Sequence, residues 1–413
     1  MRTRTLSLLL ALLLLTGCGT AVPEEPNTSL PQPDHSTTEE YQPPAEQNPA
    51  TPDTAENGVQ PDHSKTPAET AQQQLEKMTL EQKLYQMMIV TPEALTGVTT
   101  ATQAGATTEA AIRTYPVGGV IYFAQNLIDA DQTATLLANT QSFSEIPLFL
   151  AVDEEGGTVS RVGANPAMGA TKFPPMGELE GGADAAYQVG LTIGTELMNL
   201  GFNLDFAPVA DVNSNPNNSV IGNRAFSSDP QTAAELVAAA VRGFRESGIC
   251  CTLKHFPGHG DTATDSHAGY AQTTKTLQEL ENAEFLPFQS GIDAGATMVM
   301  VGHISAPNAA GDTTPASLSK TIVTDWLRGE LGFSGLVVTD AMNMGAITTE
   351  YSAGEAAVLA VEAGVDLLLM PSDFKAAYRG LREALDSGRL TQERIDESVL
   401  RILTAKVEAG LLQ

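Results

Sequence analysis

Eight short apolar runs, spaced along the chain and separated by stretches of helical character, constrain this sequence more than any other feature. They fall at residues 87–90, 118–123, 146–152, 203–208, 251–255, 297–303, 335–340 and 365–371, and are rich in Val, Ile, Leu and Met. Amphipathic helix candidates lie between and after them, among them 184–200, 230–246, 319–331 and 391–410. Uninterrupted apolar strands alternating with helices imply a parallel sheet buried on both faces. Eight such units predict an α/β fold of the (β/α)8 TIM-like barrel type, a single catalytic domain over 68–413. A doubly wound open sheet is the rival. It loses its nucleotide-binding versions, because no G-x-G-x-x-G follows the first run and no G-x-x-x-x-G-K-[ST] occurs.

Two segments precede the barrel pattern. In residues 1–18, Arg2 and Arg4 are followed by an almost wholly apolar run from Leu6 to Leu15, too short to span a bilayer. It ends in Leu15-Thr16-Gly17-Cys18, which resembles the bacterial lipobox. That resemblance implies cleavage before Cys18 and lipid attachment to its sulfur, giving a protein anchored to the bacterial cell membrane and extracytoplasmic. Residues 19–67 hold ten prolines, nine acids and one base, and repeat Pro-Asp-His-Ser at 33–36 and 61–64. Such a composition cannot offset its ordering entropy, and a disordered, extended tether is expected.

Charge excludes some partners. The formal net charge is -28. The leader carries +2 and the tether -8, which leaves the barrel region at -22. Nucleic-acid binding needs clustered Lys and Arg, and anionic lipid repels such a surface. Membrane contact is therefore expected only through the N-terminal lipid. Three cysteines exclude a disulfide scaffold, and Cys250 and Cys251 open a buried-looking strand where core packing is expected.

Polar residues gather at the ends of the runs: Asp153, Asp205, Lys254-His255, His303 and Asp340. In barrels of this type the active site sits at the C-terminal strand ends. A strand-end Asp also serves as a simple helix or turn cap, so each alone says little.

Residues 254–267 hold three of the four histidines found after residue 67. His255 and His259 lie four apart, but Pro257 and Gly258 between them rule out a shared helical face, and no H-E-x-x-H or C-x-x-C accompanies them. No metal and no cofactor are expected. A G-x-S-x-G elbow is also missing, against a serine hydrolase. Acid/base chemistry fits better. Asp265 stands two residues from His267, and a carboxylate beside an imidazole orients it and favours its protonated form. Asp340, closing the run Gly335-Leu336-Val337-Val338-Thr339, has the placement of a carboxylate nucleophile.

These pieces resemble a known family. Asp153-Glu154-Glu155-Gly156-Gly157, Asn203-Leu204-Asp205-Phe206-Ala207-Pro208-Val209, Gly222-Asn223-Arg224, the 254–267 segment and Thr339-Asp340-Ala341-Met342-Asn343-Met344 occur in the order seen in the N-acetyl-β-glucosaminidase branch of glycoside hydrolase family 3. The similarity covers essentially all of 68–413. It implies a retaining β-N-acetylhexosaminidase, in which Asp340 attacks the anomeric carbon and His267, paired with Asp265, acts as acid and then base. It also implies that Asp153, Arg161, Arg224, Lys254 and His255 hold the hydroxyls and acetamido group of a terminal sugar. Carbohydrate is then the partner, with muropeptides or chitin-type oligosaccharides as substrates and a monomer as the expected form.

The sequence departs from the family pattern at four places. Glu154 stands where Gln is common, Thr158 where Arg is common, and Ala225 where Ser is usual. After His267 the run Ala268-Gly269-Tyr270-Ala271 lacks the usual proline. The chain ends soon after the last helix candidate, so the second α/β domain of some members is not expected. Met342 and Met344 are expected to pack beneath the nucleophile. Three other readings share these residues: a phosphorylase using the same site, a β-glucosidase, and a sugar-binding surface lipoprotein without turnover.

Overall fold

The computed structural model describes residues 65–262 and 271–413. The expectations for Cys18, for the leader and for the tether up to residue 64 lie outside the described residues. So do those for Asp265 and His267.

Eight strands form one sheet: β1 (Met88–Val90), β2 (Gly119–Ile121), β3 (Phe149–Val152), β4 (Leu204–Asp205), β5 (Cys250–Phe256), β6 (Met298–Val301), β7 (Leu336–Thr339) and β8 (Leu368–Leu369). From β1 to β7 each pairs in parallel with the next, and β8 pairs with β1. A parallel bridge from Val338 to Leu367 joins β7 to the run-in of β8. Two backbone bonds secure it, Leu367 N–H to Val337 O at 3.0 Å and Thr339 N–H to Leu367 O at 3.0 Å. The expected TIM-like barrel is therefore the fold. Every residue of these eight strands is buried, as the uninterrupted apolar runs require.

Helices cover the barrel, and their sequences show why they form where they do. Asp229 accepts from Thr232 N–H at 2.9 Å, Pro230 takes the first helical position, and the helix Pro230–Ser247 ends at Gly248 with φ of 88°. It packs against Gly182–Leu200 through glycines. A Cβ on Gly190 would lie 2.2 Å from Ala240 O, and one on Gly243 would lie 2.1 Å from Tyr187 O. Only residues without side chains allow two backbones to approach so closely. The last helix, Gln392–Glu408, buries Ile395, Val399, Ile402 and Leu403 at helical spacing. The expected helix near 319–331 is present as Thr321–Glu330, but wound as a π-helix. Two short strands, Ala271–Gln272 and Ile304–Ser305, pair in parallel outside the barrel. Among the described residues no helix is long and apolar enough to cross a membrane.

Candidate active site

Two cavities mark the ends of the barrel. The larger, about 830 Å³, lies at the N-terminal ends of β5, β6 and β7 beside the last helix, and none of the sequence's candidate residues lines it. The other, about 300 Å³, opens at the C-terminal ends. Asp153, Arg161, Arg224, Lys254, His255 and Asp340 all line this second cavity. The segment after β3, the turn Gly222–Arg224, β5 and the end of β7 thus bring six candidate residues together where barrel chemistry is located.

Asp340 is the residue after β7. Its N–H donates to Val301 O at 2.9 Å, and its Oδ1 accepts from Ala341 N–H at 2.7 Å. Neighbouring contacts fix this corner. Thr339 Oγ accepts from Leu369 N–H at 3.0 Å, and the fully buried His303 places Nε2 3.1 Å from Ala341 O and Nδ1 2.8 Å from Ser317 Oγ. Burial alone would raise the Asp340 pKa. The nearby His255, His303 and Lys254 and the Ala341 N–H outweigh it and hold the carboxyl below its usual range. Asp340 is therefore an ionised carboxylate at neutral pH.

Lys254 and His255 are consecutive, yet both reach the cavity. In a regular strand neighbours point to opposite faces. Here β5 slips register against β6 between Leu253 and Phe256, which lets both side chains turn toward the mouth. Lys254 is 2% exposed and pairs with Asp153 Oδ1 at 2.9 Å and Glu155 Oε1 at 2.6 Å. Burial would lower its pKa, but the two carboxylates reverse that and raise it. Glu155 also accepts a two-pronged contact from Arg224, Nε to Oε2 and Nη2 to Oε1, each at 2.8 Å. Burial pushes the Glu155 carboxyl up, but Lys254 and Arg224 pull it down to about 2.

The family resemblance implies that Arg224 and Lys254 face a sugar. The structure adds that both are already charge-paired through Glu155, so they form a fixed polar wall. Arg161 differs from them. Its guanidinium carbon lies 5.8 Å from the centre of the Phe123 ring, and its Nε is buried with no hydrogen-bond partner.

Sequence reasoning missed Asp211. It is wholly buried behind the site and serves two histidines. Its carboxylate accepts from His255 N–H at 3.2 Å and His259 N–H at 2.6 Å, and its Oδ2 lies 2.7 Å from His255 Nδ1. That contact puts the His255 proton on Nδ1 and sets the plane of the ring. Burial opposes ionisation of Asp211, but His255 and His259 outweigh it and lower the pKa. An Asp two residues past the quoted Ala207-Pro208-Val209 was the only signal, and it carries no periodicity.

Asp205 turns out to be structural. It is fully buried, accepts from Glu154 N–H at 2.9 Å, and burial drives its pKa well up. His259 lines the cavity, with Nδ1 2.8 Å from Thr262 Oγ. No group of three or more His, Cys, Asp or Glu among the described residues is arranged to hold a metal ion. Met344 lines the cavity while Met342 packs in the core. Cys250 and Cys251 are buried free thiols, each pushed up to about 12 by burial.

The chain is similar to known proteins in sequence and fold. Residues 79–405 match the Glycosyl hydrolase family 3 N terminal domain. Beta-hexosaminidase A of Pseudoalteromonas piscicida is 37% identical over 330 residues, covering 72% of this chain and 54% of that protein. The chain thus spans about half the length of that relative. Beta-hexosaminidase LpqI of Mycobacterium tuberculosis is 34% identical over 342 residues, covering 78% of this chain and 82% of the relative. Among solved structures, a glycoside hydrolase family 3 beta-N-acetylglucosaminidase from Paenibacillus sp. str. FPU-7 superposes with a TM-score of 0.76 at 39% identity, over 81% of this chain and 63% of that one.

Proposed function

The chain belongs to glycosyl hydrolase family 3, and from that premise we propose that it is a retaining exo-β-N-acetylglucosaminidase. It removes terminal non-reducing N-acetylglucosamine from muropeptides or related β-linked oligosaccharides. The observation that carries this reading is Asp340, an ionised carboxylate at the end of β7, facing a cavity walled by Asp153, Lys254, Arg224 and His255. A cavity of about 300 Å³ suits one sugar ring, and its carboxylates and cations suit hydroxyls. The relatives named beta-hexosaminidase and the beta-N-acetylglucosaminidase structure support the choice of sugar.

In this mechanism Asp340 Oδ attacks the anomeric carbon as the bond to the leaving oxygen breaks, and His267 gives that oxygen its proton. A water then loses a proton to His267 and attacks the same carbon, and the bond to Asp340 breaks. Asp265 orients His267. Lys254, Arg224 and Asp153 hold the ring in place, so binding energy goes into alignment for attack. Release of 4-nitrophenol from its N-acetyl-β-glucosaminide tests the reading. Asp340→Asn is expected to reduce kcat by at least about 10³-fold, and unchanged activity would overturn the mechanism. Running the assay with and without inorganic phosphate, and weighing the sugar product, separates hydrolysis from phosphorolysis.

Lipid anchoring through Cys18 belongs to the same proposal, since it would hold the enzyme beside the cell wall. Cys18→Ser should move the protein from the membrane to the soluble fraction, and a variant that stays membrane-bound would contradict it.

A further inference from the structure

Glu154 follows the sugar ligand Asp153 directly but does not line the cavity. Its side chain turns beneath the loop that it begins and is 4% exposed. Four donors from one short turn converge on its carboxylate. Ser160 Oγ–H donates at 2.5 Å, Arg161 N–H at 2.6 Å, Val162 N–H at 2.7 Å and Gly163 N–H at 3.2 Å. The backbone beneath is also fixed, because Asp205 Oδ1 accepts from Glu154 N–H at 2.9 Å.

The turn is built around this carboxylate. A Cβ on Gly163 would lie 2.6 Å from Thr171 O and 3.0 Å from Glu154 Oε1, so no side chain fits there. Two carboxylate oxygens offer about four acceptor positions. An amide of the same shape has one acceptor oxygen; in the Oε2 place that oxygen keeps the Arg161 and Val162 N–H groups, but the N–H₂ then faces the Gly163 N–H and Ser160 Oγ must turn from donor to acceptor. The residue central to the turn is Arg161, whose guanidinium lies over Phe123 on the cavity wall with Nε buried and without a hydrogen-bond partner.

We propose that Glu154 is a positioning residue: its buried carboxylate gathers the 160–163 turn and so holds Arg161 at the cavity wall in the pose that binds substrate. The proposal rests on the reading of the cavity as a sugar site with Arg161 among its ligands. Glu154 touches neither the sugar nor the reacting atoms, so its effect is expected in substrate binding rather than in bond cleavage.

The test is a double-mutant cycle in the full chain, with kcat and KM measured on 4-nitrophenyl N-acetyl-β-glucosaminide and folding followed by thermal melting. Glu154→Gln should raise KM about tenfold, the scale of one lost charge-assisted hydrogen bond, and change kcat less than about threefold. Ser160→Ala, which removes one donor and leaves the carboxylate, should raise KM about two- to threefold. In an Arg161→Ala background Glu154→Gln should add no further increase. An unchanged KM in Glu154→Gln, or the same rise with Arg161 removed, overturns the proposal while leaving the sugar reading intact. Should Glu154→Gln fail to fold, the pair Ser160→Ala and Arg161→Ala runs the same cycle. A wild-type chain without turnover overturns the sugar reading, and this proposal with it.

Discussion

Asp340 and Asp211 are both carboxylates at the mouth of the barrel, and their surroundings give them different work. Asp340 faces the cavity with one backbone N–H on its Oδ1. Asp211 is sealed beneath, and its oxygens are used by His255 and His259. Asp211→Asn keeps the shape but brings an N–H₂ group into a place that only accepts. It should lower kcat/KM by about 10²-fold and stability by about 2–4 kcal/mol at pH 7, as read from initial rates and denaturant melts. The Asp211 pKa is depressed in the fold, so its stabilisation is full above the ordinary carboxylate range. It is lost as pH falls through the lowered folded value. The wild-type advantage over Asp211→Asn should therefore shrink in acid, and an advantage independent of pH would contradict this role.

At the scale of elements, β5 and the last helix matter most. The register slip in β5 turns Lys254 and His255 to one side, a feature no pattern of apolar residues announces. The last helix plugs the opposite end of the barrel with a lysine. Lys406 is fully buried, with Nζ 2.8 Å from Gln86 Oε1, 3.0 Å from Gly118 O and 5.0 Å from the centre of the Phe149 ring. Burial lowers its pKa to about 7. An unfolded lysine titrates near 10.4, so between about pH 7 and 10 the unfolded chain binds more protons. Stability from this group is therefore smallest below pH 7 and grows as pH rises. From pH 6.5 to 9 the gain should be of order 2 kcal/mol. Lys406→Met should flatten that rise in urea melts, and a parallel rise in both proteins would contradict it.

Across the whole molecule, the sequence pattern and the structure agree on the barrel because its strands are buried on both faces. Each of the eight predicted runs contains or overlaps one strand; seven of the observed strands are shorter than their runs, while β5, Cys250–Phe256, extends one residue beyond its run at each end. Asp153, Lys254, His255 and Asp340 were legible because they interrupt apolar runs. The pairing of Lys254 with Asp153, 101 residues away, was not, nor was the link from Arg224 to Glu155. Such pairs are made only by closure of the barrel, and the sequence carries no periodic trace of them. Asp211 and Glu154 were hidden for the same reason, since their partners are mostly backbone N–H groups. The -22 charge of the barrel region says little about the sugar, because the cavity wall balances its own acids and cations.

The helix Gln392–Glu408 supplies Lys406 and a buried apolar face to the barrel's closing end. Removing 391–413 should therefore abolish the cooperative thermal transition seen by circular dichroism, and a retained transition would show that the barrel closes without it.

In the proposed mechanism Asp340 forms the bond to the sugar. A fluorinated N-acetyl-β-glucosaminyl donor that reacts quickly and is released slowly would trap the intermediate, and peptide mapping by mass spectrometry would locate it. The expected result is one sugar per chain on the peptide carrying Asp340, and none on Asp340→Asn. An active enzyme whose label falls on another residue, or that turns over without any trapped adduct, would contradict it.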